Sequence, residues 1–140
     1  MNEQTTLAGF IELDHTADRA IRVWASTPAK LFEQAARGMF ALMADLSSVS
    51  SISRHELTIE VDDLESALVD WLNELLYWHE TRHEVYSEFT VLLDETRLHA
   101  RFTGGPVASM RASVKAATFH DLTIRQDHAG TWRVDIVFDT

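Results

Sequence analysis

Apolar and polar residues alternate in short runs along most of this chain, and two stretches repeat at helical spacing instead. Residues 9–13 and 20–25 read as strands interrupted by Asp14-His15-Thr16-Ala17-Asp18, the second strand placing Ile21 and Val23 on one face and Arg22 and Trp24 on the other. Alternation is cleaner over 55–61, with Leu57, Ile59 and Val61 inward and Glu56, Thr58 and Glu60 outward. Residues 85–93 and 97–103 flank Asp94-Glu95-Thr96 and predict a hairpin; 113–125 and 131–138 flank His128-Ala129-Gly130 and predict a second. Between the hairpins, Gly104-Gly105-Pro106 is expected to break the chain.

The first helical stretch starts at Pro28, whose fixed φ suits the first helical position, with Thr27 as its cap. Leu31, Phe32, Ala35, Met39, Phe40 and Met43 then form one apolar face, and the serine-rich residues 47–53 follow as a loop. In the second, Asp62 is placed to cap and Glu65 to reach back in a capping box, ahead of a stripe of Leu64, Leu68, Trp71, Leu72 and Leu75 that Trp78 continues. Two helices among strands joined mostly as hairpins indicate an α+β fold, with the helices packed on a largely antiparallel sheet. Residues 1–140 are expected to form a single domain, the patternless 1–6 being flexible.

Composition narrows the function classes. Hydrophobic residues at 46% and charged residues at 24% suit an ordinary globular domain. With no cysteine, thiolate zinc sites, disulfides and cysteine nucleophiles are excluded. The net charge of −10, from 22 acidic against 12 basic residues, argues against direct nucleic-acid binding and suits a holder of cations or a protein that docks on a basic partner. Apolar runs fall far short of the roughly 20 residues that span a bilayer. The N-terminus lacks the features of a signal peptide, so a cytoplasmic, non-membrane protein is expected.

Candidate chemistry lies in three places. His79-Glu80-Thr81-Arg82-His83 matches the zincin pattern, in which two histidines one helical turn apart hold zinc and the glutamate activates water. Zinc catalysis needs a third protein ligand, and no zincin-type continuation follows, so these residues are expected in a frayed, solvated helix end. Asp18 and the terminal Asp139-Thr140 offer different chemistry. Val134, Ile136 and Phe138 alternate almost to the last residue, so the final strand delivers the Asp139 side chain and the terminal carboxylate to a fixed place. Joined by Asp18, these would make an all-oxygen anionic pocket for a hard cation such as Ca²⁺ or Mg²⁺. The third place is the segment 114–120, whose alternation sets Lys115, Ala117 and Phe119 on one face and Ala116, Thr118 and His120 on the other. Lys115 is either edge protection of a strand or, beside carboxylates, a contact for phosphate or a partner's acid.

Along nearly its whole length the sequence resembles the archease family. His15-Thr16-Ala17-Asp18 is similar to that family's first motif. Leu68-Val69-Asp70-Trp71-Leu72-Asn73-Glu74-Leu75-Leu76-Tyr77 is similar to its central helix, and Val114-Lys115-Ala116-Ala117-Thr118-Phe119-His120 to its lysine motif. Val137-Phe138-Asp139 resembles its ending. The resemblance implies a compact α+β fold and a divalent metal, calcium first with Mg²⁺ or Mn²⁺ as alternatives. Asp18, Asp139 and Thr140 would be its ligands, the last through its main-chain carboxylate. It further implies a non-catalytic cofactor of the GTP-dependent tRNA-splicing RNA ligase, promoting guanylylation and multiple turnover. Lys115 would be needed for activation, with His15 and His120 as further partner-contacting residues.

Departures are Arg19-Ala20 for the usual Ile-Gly, conservative changes at Val114, Ala117 and Phe119, and Thr140 for an apolar last residue. The same resemblance allows a chaperone-like module guarding a tRNA cytosine methyltransferase from aggregation. A metal-dependent hydrolase built on His79, Glu80 and His83, or on Asp18 with His15, is a third reading, and it lacks a recognisable nucleophile or oxyanion device.

Overall fold

The computed structural model describes residues 7–14 and 18–140. Strands β1 (Gly9–Leu13) and β2 (Arg19–Ala25) lead into helix α1 (Pro28–Met43). Thr27 caps α1 as expected, its hydroxyl accepting from the Lys30 amide at 3.1 Å, with Pro28 at the first position. The expected apolar face of α1, Leu31 to Met43, is buried. The serine-rich segment is more ordered than a plain loop. Asp45 accepts from the Ser47 amide at 3.0 Å and caps a 3₁₀ turn over Leu46–Ser48.

Strand β3 (Ser53–Glu60) precedes helix α2 (Leu64–Arg82). The cap of α2 is Asp63 rather than Asp62: its carboxylate takes the Ser66 amide at 2.8 Å and the Ser66 hydroxyl at 3.0 Å. Glu65 does not complete a capping box but accepts from the Ile124 amide at 3.0 Å, pinning a distant loop to the first turn. Leu68, Trp71, Leu72 and Leu75 are buried as expected, while Leu64 and Trp78 pack against the core only partly buried.

Strands β4 (Val85–Leu93) and β5 (Arg97–Gly105) form the first expected hairpin. Gly104 and Gly105 continue β5 instead of breaking it, since Gly104 lies between Ser53 of β3 and Tyr86 of β4. A Cβ at Gly104 would overlap the Val85 carbonyl oxygen, so the glycine permits close approach of backbones. The second expected hairpin is reduced to two short pieces, β6 (Ala116–Ala117) and β7 (Arg125–Gln126). Each pairs antiparallel with β8 (Trp132–Asp139). Asp121, at φ 50°, turns the chain between them.

Among the described residues the strands make two antiparallel sheets. One is five-stranded, in the order β1-β2-β8-β6 with β7 also on β8, and the other three-stranded, β3-β5-β4. The α+β expectation holds, with the sheet divided in two. Helix α1 packs on β4, β2 and β1, and α2 packs on β6 and β3. Side chains from both helices and both sheets share one apolar core. Among the described residues no helix is long and apolar enough to cross a membrane.

Candidate functional site

β8 lies between β2 and β6, and that position decides which candidate residues meet. Arg19 of β2 pairs with Phe138 of β8. In an antiparallel pair, Asp18 before Arg19 and Asp139 after Phe138 leave that pair at the same end of the sheet. On the other side of β8, Ala116 pairs with Asp139, and the Lys115 amide donates to the Asp139 carbonyl at 2.8 Å. Asp18, Asp139 and Lys115, 121 sequence positions apart at the extremes (139 − 18), are therefore gathered at one end of β2, β8 and β6. Thr140 follows Asp139 there.

The electrostatics of that end are dominated by oxygen. Asp18 is half-buried; Asp139, Thr140 and Lys115 are exposed. Among the described residues neither aspartate side chain makes a hydrogen bond or an ion pair. The nearest cation along β2 is already engaged: Arg19 grips Glu12 of β1 through two bonds of 2.9 Å. Among the described residues no three His, Cys, Asp or Glu side chains lie close enough to hold a metal by themselves. Two carboxylates alone would need further oxygen donors to complete such a site. This donor set fits a hard divalent cation and not zinc, whose sites want nitrogen or sulfur.

Other candidates stand elsewhere. His15 lies outside the described residues. Thr118 donates to the Val137 carbonyl through its amide at 3.0 Å, so the chain leaving Lys115 runs down β8 away from Asp139. His120 ends up in the following turn, an exposed imidazole 3.3 Å from the Asp121 carboxylate. Nor does the alternation expected over 114–120 persist: Ala117 is buried whereas Lys115 and Phe119 are exposed.

The zincin pattern is dismantled by the end of α2. His83 adopts the left-handed conformation, φ 56° and ψ 43°, and caps the helix. His79 turns inward, its Nδ1 2.7 Å from the Glu84 carbonyl and its ring edge-on to Phe40 at 6.0 Å. One imidazole is part of the packing and the other is in solvent, so they do not share a metal. The helix end is also not frayed as expected, because His79 and Trp78 are partly buried.

Two polar arrangements were not anticipated. Glu84 collects Ser53, the His55 imidazole (2.9 Å) and the Tyr86 hydroxyl (3.0 Å) at the start of β3 and β4. The only local signal is a pair of polar residues two apart on each strand, Ser53 with His55 and Glu84 with Tyr86. Asn73, inside the central helix motif, bonds both backbone groups of Ala117: its Oδ1 accepts from the amide at 2.8 Å and its Nδ2 donates to the carbonyl at 3.3 Å.

The model of the archease protein family (MTH1598/TM1083) matches residues 10–140. The chain is 36% identical over 136 residues to protein archease of Methanopyrus kandleri, covering 91% of this chain and 96% of that one. It is 33% identical over 140 residues to protein archease of Methanothermobacter thermautotrophicus, covering 95% and 99%. The solution structure of Methanobacterium thermoautotrophicum protein 1598 superposes with a TM-score of 0.84 at 32% identity, over 94% of this chain and 99% of that chain. A crystal structure from Thermotoga maritima, described as an archease and possible chaperone, shares the fold at a TM-score of 0.64 and 20% identity, over 91% and 94%.

Proposed function

Because this chain belongs to the archease family, we propose that it is a non-catalytic accessory protein of a GTP-dependent tRNA-splicing RNA ligase in the cytoplasm. In this role it holds a divalent cation, calcium first, and promotes ligase guanylylation and multiple turnover. The observation that supports this reading is the meeting of Asp18, Asp139 and Lys115 at one end of β2, β8 and β6. Guanylylation transfers a phosphoryl group, and a divalent cation neutralises charge that develops on the transferring oxygens. Asp18, Asp139 and the Thr140 carboxylate contribute hard oxygen donors. Lys115, immediately before the neighbouring β6, presents a compact cation to the nucleotide or to an acidic group of the ligase.

The test is a guanylylation and multiple-turnover assay of the cognate ligase with and without this protein. Faster guanylylation and repeated turnover on addition are expected, and no change in either overturns the reading.

A second reading draws on the Thermotoga maritima protein described as a possible chaperone. Here the chain guards an RNA-modifying enzyme, such as a tRNA cytosine methyltransferase, against aggregation. Light scattering of that enzyme on heating discriminates the two: suppression of aggregation with no effect on ligase turnover selects the second.

A further inference from the structure

β6 is only two residues long, and the lysine stands immediately before it. Ala116–Ala117 pairs with β8 along one edge, and a strand so short gains little from its own ladder. On the other edge Asn73 stands in for a further strand. Its amide meets both the N–H and the C=O of Ala117, as a neighbouring strand would, across 44 residues of sequence. Ala117 is thereby held from both sides: its side chain is buried, its pairing partner Phe138 is fully buried, and its outward backbone groups are satisfied by α2. Asn73 is itself anchored, since Leu72 beside it and Leu76 one turn on are buried in the core.

Lys115 depends on this arrangement. It lies two residues from Ala117, is exposed, and among the described residues its side chain has no partner that would orient it. Its backbone is fixed by the main-chain bond from its amide to the Asp139 carbonyl and by the burial of the preceding Val114. If Ala117 comes off β8, that bond goes with it and the ammonium group loses its relation to Asp18 and Asp139.

We infer that Asn73 is a positioning residue for Lys115, acting by clamping β6 between α2 and β8; this rests on the proposed role of Lys115 in ligase activation. Asn73 acts through its two bonds to the Ala117 backbone. It converts the burial of α2 into a fixed place for a lysine that the sheet alone would hold weakly.

The test compares the full chain with Asn73→Leu, which keeps the bulk and loses both hydrogen bonds, and Asn73→Asp, which keeps only the acceptor for the Ala117 amide. In Asn73→Leu the amides of Lys115 and Ala117 should exchange with solvent roughly tenfold faster, a local opening. Those of Ile21 and Val134 should keep their rates, and Asn73→Asp should fall between. Ligase activation should drop toward the level of Lys115→Ala, and adding Lys115→Ala to Asn73→Leu should cause no further loss, because both act through one group. Unchanged protection at Lys115 overturns the inference. So does a double variant whose losses multiply, or accelerated exchange spread over the whole core as in a Leu72→Ala control. If Lys115→Ala alone leaves activation intact, the ligase reading fails, and the exchange rates at Lys115 and Ala117 still decide whether Asn73 holds β6.

Discussion

The indole Nε1 of Trp71 donates to the main-chain carbonyl of Phe32 at 3.0 Å, joining α2 to α1 inside the core. Trp71 and its neighbour Leu72 are fully buried, so this stretch of the central helix motif is structural. Leu72→Ala should cost about 2–5 kcal/mol, and Trp71→Phe about 1–3 kcal/mol through the lost hydrogen bond and volume. Urea unfolding of each variant gives the figure. Activity should fall only in proportion to the unfolded fraction, and a variant of normal stability with no activity would place this part of the helix on the functional surface.

Lys115 makes the opposite kind of contribution. Its side chain is exposed, so Lys115→Ala should change stability by about 0.5 kcal/mol or less while ligase activation collapses. Thermal unfolding and guanylylation, measured on the same preparation, separate the two effects. Full activation by the variant would reduce the lysine to protection of a strand edge.

Calcium titration calorimetry addresses the proposed ligands. Asp18→Asn and Asp139→Asn should each weaken binding markedly, because affinity for a hard cation follows the charge of its oxygen donors. Adding one residue after Thr140 should do the same, since it turns a carboxylate into an amide. His79→Ala and His83→Ala should bind as the unaltered protein does. Equal affinity in the extended chain removes the terminal carboxylate from the ligand set.

Glu84 predicts the acid limb of stability. Burial pushes its carboxyl up, but hydrogen bonds from Ser53, His55 and Tyr86, together with the His55 charge, hold it below the ordinary carboxylate range. Burial, with the Glu84 carboxylate, raises the Tyr86 phenol well above its usual range, so that it remains a donor. Because the folded state binds the Glu84 proton less readily than the unfolded chain, its contribution is complete above the unfolded carboxyl value of about 4.3. It is lost as pH falls through the lower folded value. Glu84→Gln should therefore be less stable near neutrality and show a flatter decline into acid. Urea midpoints taken from neutral pH downward test this, and parallel curves for the two proteins would rule it out.

What the sequence revealed depended on how local the determinants were. Thr27 and Pro28 mark the start of α1 within a few residues, and the alternation of β3 and β8 needs no distant partner. The cap of α2 was displaced by one residue because Asp62 and Asp63 are both competent. Ser66 satisfies Asp63, while Ile124, 59 positions from Glu65, claims the residue that would have closed the box. The zincin pattern, already short of a third ligand in the sequence, fails in the structure for a related reason: helical spacing of His79 and His83 presumes a helix that His83 itself ends. Asp18, Asp139 and Lys115 were individually legible as motif residues. Their meeting was not, because it rests on the register of β2 and β6 against β8. Asn73 was hidden inside a helix motif whose apolar positions carried all the pattern.

β8 is the last strand along the chain and the central one in its sheet, a placement with consequences for how the protein is made. Arg22 reaches Asp135 across 113 residues in that pairing, a separation that makes closure slow relative to hairpins such as β4 with β5. On the ribosome, β2 must wait beside an empty position while both helices and the three-stranded sheet emerge. Its partner exists only once residues 132–139 have been synthesised and released from the exit tunnel. The end of the sheet where Asp18, Asp139 and Lys115 meet is thus not assembled before β8 has joined β2 and β6.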